Sequence, residues 1–208
     1  MIYDVLNKKF SLSKNLNFSR WYGSVVITGD EKMFIFGGED VVTQELGTTP
    51  EMIDLKNIDE GWKVLEQSES NDLFGIKDAD EWNYPRAFLA SDGNIVGISY
   101  NKTWVMDVNN NYRILKTGAI PLVKSGISKT VEHSNPNFGD HKKDHLKLLT
   151  IGSAVGSTSS VVMIEKDKVL VFGGKQIEDE YSPSNKVFSI DFSNSFNPQI
   201  KELKSMNF

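Results

Sequence analysis

The sequence predicts an all-β protein built from repeated units of four antiparallel strands. Two stretches, 24–38 and 160–174, begin with Ser-Val-Val and end with Phe-Gly-Gly at the same spacing, 136 positions apart. Each holds two short apolar runs joined by a polar turn, a pattern typical of a β-hairpin. β-branched, aromatic, Gly and Asn residues dominate, so helix signals are weak. We interpret each stretch as the first hairpin of a repeated unit.

Composition excludes several classes of function. The 208 residues carry a net charge of −5, are 39% hydrophobic and 25% charged, and include no basic stripe. This balance argues against nucleic acid as the main partner and against a polybasic membrane contact. The chain has no cysteine, which excludes disulfides, Cys-ligated zinc and thiol catalysis.

Targeting signals are also missing from the sequence. The N-terminus lacks the apolar core of a signal peptide, and no apolar run approaches the ~20 residues that a membrane-spanning helix needs. We expect a soluble protein without membrane insertion, of unknown localisation.

Residues 1–18 predict half a unit, with two short strands around a turn that Asp4 and Asn7 can cap. The first full unit, 19–66, begins with the hairpin. Its two strands are apolar at consecutive positions, which predicts coverage on both faces. Gly37 and Gly38 follow, where the backbone is expected to turn sharply. The strands predicted for this unit are 25–27, 33–36, 52–55 and 61–65.

A polar connection over 66–83, predicted to be solvated, leads to the second unit at 84–117. Ser91-Asp-Gly-Asn94 is its hairpin signal, and its strands are predicted at 86–90, 95–98, 103–107 and 112–115. Residues 118–157 read as an irregular insertion, in which 146–151 is a strand or a helical turn. The third unit, 158–204, has predicted strands at 160–164, 169–172, 187–191 and 199–203.

Four-stranded repeats of roughly 50 residues indicate a β-propeller, in which each blade covers the faces of its neighbours. A β-sandwich is the alternative, but it does not explain the fixed spacing of the repeat. Residues 204–208 resemble 14–18, which precede the first full blade, so the chain stops where another blade would start. A ring needs about four to eight blades. We therefore expect an incomplete ring of three and a half blades, completed by a longer chain or another subunit.

Two features carry a family resemblance. Phe-Gly-Gly after a hairpin, followed by an aliphatic-Asp strand and an aromatic residue, resembles the kelch repeat. Asn-Phe-Ser-Arg-Trp-Tyr at 17–22 and Asn-Tyr-Pro-Arg-Ala-Phe-Leu-Ala-Ser-Asp-Gly-Asn at 83–94 resemble the propeller of galactose oxidase and glyoxal oxidase proteins. The resemblance covers nearly the whole chain.

The resemblance implies a candidate catalytic residue, Tyr22. In that family the tyrosine of this Arg-x-Tyr segment is a copper ligand that becomes a radical after cross-linking to a cysteine. This chain has no cysteine, and the histidine ligands and second tyrosine of the family lie in later blades. A copper site within this chain alone is therefore not expected. The alternative interpretation is that Tyr22 packs at the start of its blade.

Two further groups of residues suggest chemistry. His133, His141 and His145 share one loop with two aspartates, a ligand set suited to zinc or copper, although a solvated polar loop is the preferred interpretation. Acidic pairs such as Glu39-Asp40 and the Glu178–Glu180 run follow the Gly pairs, where loops on one propeller face begin. A glycosidase-type site would need two carboxyl groups of this kind. The alternative interpretation is that these acidic side chains are exposed charges on loops.

The leading functional hypothesis is a non-catalytic kelch-type binding or scaffold module without a cofactor. It would engage a protein or a carbohydrate through loops on one propeller face. The alternative is part of a copper radical oxidase-like enzyme, active or degenerate, acting on alcohols or aldehydes.

Overall fold

The computed structural model describes residues 1–75, 85–124, 151–153, 159–174 and 184–207. These residues form three four-stranded antiparallel sheets and two two-stranded ones. Helical structure within them is confined to two 3₁₀ turns, Ile58–Glu60 and Glu66–Ser68, and one short helix, α1 (Asn71–Phe74). None of the described helices has the length and apolarity that crossing a membrane requires. The predicted all-β class is confirmed.

In each four-stranded sheet the strands pair in chain order. Sheet I contains β3 to β6, sheet II contains β7 to β10, and sheet III contains β13 to β16. The strands are β1 (Ile2–Asp4), β2 (Lys9–Ser11), β3 (Ser24–Ile27), β4 (Lys32–Phe36), β5 (Glu51–Asp54), β6 (Lys63–Val64), β7 (Arg86–Leu89), β8 (Ile95–Ser99), β9 (Lys102–Asp107), β10 (Arg113–Ala119), β11 (Leu122–Lys124), β12 (Ile151–Ser153), β13 (Ser160–Glu165), β14 (Lys168–Phe172), β15 (Val187–Asp191) and β16 (Gln199–Glu202).

The repeated hairpins share a backbone conformation as well as a sequence. Gly37 and Gly38 have φ of +60° and +85°, and Gly173 and Gly174 have φ of +69° and +86°. Residues other than glycine rarely adopt a positive φ. At Gly38 a Cβ atom would also lie 2.9 Å from the carbonyl oxygen of Trp21. The sharp turn predicted after β4 is therefore confirmed, and both glycine pairs serve it.

An aspartate closes four of the strands in the same way. Each carboxylate accepts a hydrogen bond from the backbone N–H two residues later, which is an Asx turn. Hydrogen bonding, chiefly from the Lys56 N–H and from Ser193, lowers the pKa of Asp54 and of Asp191. The four contacts are Leu6 to Asp4 at 2.9 Å, Lys56 to Asp54 at 2.8 Å, Asn109 to Asp107 at 3.2 Å and Ser193 to Asp191 at 2.9 Å.

The three large sheets stack face to face, with sheet II in the middle. One apolar cluster joins sheet I to sheet II, and a second joins sheet II to sheet III. All five residues of β8 are buried, because its alternating side chains reach both clusters. The first cluster centres on Val26, Phe34, Met52, Ile95, Trp104 and Met106. The second centres on Val96, Ile98, Val105, Val169, Phe188 and Ile190.

The prediction that the first hairpin is covered on both faces is wrong for β3. Val26 is 6% exposed, but its neighbours Val25 and Ile27 are 49% and 52% exposed. In β13, Val162 is 46% exposed. The reason is positional, since among the described residues sheets I and III each face a large sheet on one side only. Consecutive apolar residues predict two apolar faces, and a neighbouring sheet decides whether each face is buried.

The sequence predicts that residues 66–83, which follow sheet I, are solvated. In the structure, part of this connection is buried. Leu73 and Phe74 of α1 are 2% and 0% exposed, and the Ser70 hydroxyl caps this helix by accepting from the Leu73 N–H at 3.3 Å. Phe74 meets Trp104 edge to face, with ring centroids 5.4 Å apart. Two apolar residues among acidic ones are too short a signal for a core segment, which is why the sequence pattern missed them.

The stretch predicted as irregular, 118–157, also contains regular structure. Strand β10 continues to Ala119, and β11 pairs with β12 in an antiparallel hairpin. Of the predicted strand or helical turn at 146–151, residues 146–150 lie outside the described residues, and β12 begins at Ile151.

Candidate functional site

Tyr22 lies just before β3, next to Trp21, and both rings reach the surface. Tyr22 is 45% and Trp21 46% exposed, and their rings stack with centroids 4.4 Å apart at 26°. The backbone of Tyr22 has φ of +64°. A bulky residue in this region costs roughly 1–3 kcal/mol and persists only where the surroundings hold it. The aromatic pair is therefore presented by a backbone that the fold keeps in an unusual conformation.

Two backbone hydrogen bonds join this aromatic pair to the loop that follows β4, a strand of sheet I. The Trp21 N–H donates to the Glu39 carbonyl at 2.7 Å, and the Glu39 N–H donates back to the Trp21 carbonyl at 2.9 Å. The Gly47 N–H donates to the Gly38 carbonyl at 2.8 Å and closes the loop. Glu39 and Asp40 are thus placed beside Trp21 and Tyr22 in the fold, as well as after the glycine pair in the sequence.

Asp40 is held by its own loop. Its carboxylate accepts hydrogen bonds from the N–H groups of Val42 and Thr43, both at 2.8 Å. The bond from Thr43 is the main reason that the pKa of Asp40 lies below its ordinary value. Asp40 therefore carries a negative charge at neutral pH, within the same loop as the aromatic pair's partner Glu39.

Beneath the surface, Arg20 anchors the segment that carries the aromatic pair. Its Nε donates to Glu51 Oε1 at 3.0 Å, and both side chains are 0% exposed. The guanidinium also donates to the carbonyls of Gly37 at 2.8 Å and Gly47 at 3.3 Å, and to that of Thr49. Burial lowers the pKa of Arg20, and Glu51 opposes that shift. One side chain thus joins the residues before β3, the end of β4 and the approach to β5.

Glu51 also accepts hydrogen bonds from two residues that precede Arg20. The backbone N–H and the side-chain amide of Asn17 donate to Glu51 Oε2 at 2.7 and 2.8 Å. The Phe18 N–H donates to Oε1 at 3.3 Å. A buried carboxylate is stable only with such compensation. Arg20 and Glu51 form what we call the Arg20–Glu51 clamp.

The sequence pattern identified Tyr22 through the Arg-Trp-Tyr segment but did not identify Glu51. The available signal was a glutamate opening the otherwise apolar strand Glu51-Met-Ile. A charge at that point of a buried strand requires a partner. The partner lies 31 positions away in sequence, and no local pattern indicates it.

The predicted metal ligands His133, His141 and His145 lie outside the described residues, as does the acidic run 178–180. Within the part of the chain that the structure describes, no group of three or more His, Cys, Asp or Glu side chains could hold a metal ion.

Comparison with known proteins extends the result for the fold. No family model matches the sequence, and no curated protein matches it. Among solved structures, a fungal alcohol oxidase of the AA5 family in complex with copper matches with a TM-score of 0.56 at 15% identity. The match covers 94% of this chain and 34% of the oxidase chain, so the present chain spans about a third of that length. The likeness therefore shows a shared all-β fold of four-stranded antiparallel sheets.

Proposed function

We propose that the chain forms part of a kelch-like β-propeller and acts as a non-catalytic module that binds carbohydrate through Trp21 and Tyr22. The observation that carries this proposal is the stacked, half-exposed aromatic pair on a fixed backbone. The three stacked four-stranded sheets and the match to part of an AA5 oxidase support the propeller. The repeated Phe-Gly-Gly turns support the kelch-like assignment.

Rigidity favours binding at this surface. The Trp21–Glu39 bridge and the Arg20–Glu51 clamp hold the segment before β3 at both the backbone and the side-chain level. A surface that is already ordered loses little conformational entropy when a ligand binds. Trp and Tyr also lose little rotamer freedom for the large area that they contribute.

The chemistry of the surface suits a neutral polyhydroxylated ligand. Aromatic rings offer flat apolar faces to the C–H faces of a sugar ring. The neighbouring Glu39 and Asp40 supply carboxylate acceptors for hydroxyl groups, and charge-assisted hydrogen bonds of this kind are strong. An anionic glycan would instead meet repulsion from these carboxylates. A protein partner is the other possibility that the exposed aromatic pair allows, and the experiment separates the two.

Replacement of Trp21 with Ala is expected to weaken binding of a neutral oligosaccharide by about 2- to 13-fold, since each stacked aromatic contributes about 0.5–1.5 kcal/mol beyond its buried area. A neutral glycan array would identify the ligand, and calorimetry would compare the variants. The matched control is F10A, which removes an aromatic ring that is 69% exposed on β2. Failure of every neutral glycan to bind, or equal affinity of W21A and F10A, would contradict the proposal.

A second candidate function is part of a copper radical oxidase. It is favoured by the match to an AA5 alcohol oxidase in complex with copper and by Tyr22 in the Arg-Trp-Tyr segment. The described residues do not by themselves fit a copper site, because Tyr22 has no accompanying group of three metal-binding side chains among them.

Metal analysis combined with a hydrogen peroxide assay on sugars, alcohols and aldehydes separates the two functions. We expect neither stoichiometric copper nor peroxide production from this chain. One copper per chain together with peroxide formation would refute the binding module and establish the oxidase.

A further inference from the structure

Sheets I and III each expose an apolar face on the side away from sheet II. In sheet III this face carries Val162, which is 46% exposed, with the partly exposed Leu170 and Phe172 beside it. In sheet I it carries Val25 and Ile27, at 49% and 52%. We call these surfaces face III and face I. The open residues of face III lie on the first two strands of its sheet, and those of face I lie on the first strand, since Ile35 on the second is 8% exposed.

The repeat shows what chemistry face III is built to meet. The 136-residue offset relates Val26, Phe34 and Phe36 to the three residues of face III. In sheet I those three side chains are 6%, 0% and 0% exposed, because sheet II covers them. Strand register agrees as well. Ser24 pairs with Phe36 and Ile27 with Met33, and their counterparts pair in the same way, Ser160 with Phe172 and Met163 with Val169.

The same comparison applies to face I in the opposite direction. Val25 corresponds to Val161, and Ile35 corresponds to Val171. In sheet III, Val161 packs against the cluster shared with sheet II, and Val171 is 0% exposed. The residues of face I therefore match those with which sheet III contacts sheet II, the sheet before it in the chain. The residues of face III match those with which sheet I contacts sheet II, the sheet after it in the chain. The two open faces are the two halves of the contact already made twice inside the chain.

On face I, charge does not oppose such a contact. Glu51 lies on the same side of sheet I as Val25, because the register aligns Val25 with Ile35 and Ile35 with Glu51. Its carboxylate is buried and is paired with Arg20. Face I is therefore apolar at β3, where it is exposed, and its one buried carboxylate, on β5, is neutralised by Arg20.

We propose that face III packs on face I of a second copy of this chain. Two such contacts, related by a twofold axis, join two chains into a closed pair. The pair contains six four-stranded sheets, which is within the range of about four to eight that closes a propeller. The proposal concerns association and not ligand binding, so its failure leaves the carbohydrate proposal untouched.

The test uses light scattering and sedimentation velocity on the full chain at micromolar concentration. The wild type is expected at twice the 23.4 kDa of one chain, and V162E and V25E are each expected at 23.4 kDa. A mixture of V162E with V25E should recover the pair, because one intact face III then meets one intact face I. The matched control is F196E, at a residue that is 45% exposed in the turn between β15 and β16, and it should pair like the wild type.

Folding of each variant is checked by circular dichroism. Because the substituted positions are half-exposed, all variants should keep the wild-type spectrum. A monomeric wild type overturns the proposal, as does a pair that neither V162E nor V25E dissociates, or single variants that dissociate but do not recover on mixing.

Discussion

Replacement of Glu51 with Ala is expected to lower the free energy of unfolding by about 3–5 kcal/mol, the cost of breaking a buried ion pair from one side. The substitution leaves the Arg20 guanidinium buried without its counter-charge, since both side chains are 0% exposed. It also removes the acceptor for the backbone N–H groups of Asn17 and Phe18. Unpaired buried donors add their own desolvation cost.

Urea denaturation followed by fluorescence measures this loss. The matched control is E60A, which removes the acceptor of an exposed ion pair with Lys63 at 2.9 Å. Exposed pairs contribute about 0–1 kcal/mol, so E60A should unfold almost like the wild type. In a double-mutant cycle, R20A combined with E51A should cost less than the sum of the single changes. Equal stability of E51A and E60A would show that the clamp does not support the fold.

The second large effect is expected at Trp104, where replacement with Ala should cost about 3–5 kcal/mol. Trp104 is 0% exposed and contacts the rings of Phe36 and Phe74, with ring centroids 5.2 and 5.4 Å away. Its Nε1–H donates to the Ser99 hydroxyl at 3.0 Å. The change therefore removes two aromatic contacts and one buried hydrogen bond at the junction of sheets I and II.

Gly97 makes the cavity at Trp104 difficult to refill. Gly97 pairs with Trp104 across β8 and β9, and a Cβ atom there would lie 2.2 Å from the indole. The Trp104 ring lies over Gly97, which has no side chain. Position 97 therefore offers no side chain that could fill the cavity left by W104A. The W104F variant should recover part of the loss, and F196A, at a half-exposed ring, should cost little. Denaturant midpoints of the three variants test this order, and a W104A midpoint equal to that of F196A would contradict it.

Local patterns predicted the strands of the three large sheets because hairpin turns are encoded by neighbouring residues. The Phe-Gly-Gly repeat is an example, since the positive φ of Gly37 and Gly38 is a local requirement. Phe74 is a counter-example. Nothing within 66–83 distinguishes it from a solvated residue, and its burial depends on Trp104, which lies 30 positions later and closes over it.

The candidate site was predictable to the extent that it lies in one short segment. Trp21 and Tyr22 are adjacent in the sequence, so the resemblance of 17–22 to galactose oxidase-type proteins was sufficient to select Tyr22. The loop at Glu39 and the carboxylate of Glu51 come from other parts of the chain. They reach the site only through the pairing of β3 with β4 and of β4 with β5.

The sequence by itself determined that this chain is all-β, that its units contain four antiparallel strands, and that Tyr22 lies just before the first strand of the first complete unit. Those properties depend on alternation, turn residues and repeats, which act over a few positions. Tertiary structure alone decided that the Arg20–Glu51 clamp supports the aromatic pair, and that Val26 is buried while Val162 is open. Burial depends on whether another sheet packs against a given face. Two equivalent positions of the repeat, such as Val26 and Val162, can therefore be buried in one sheet and exposed in another.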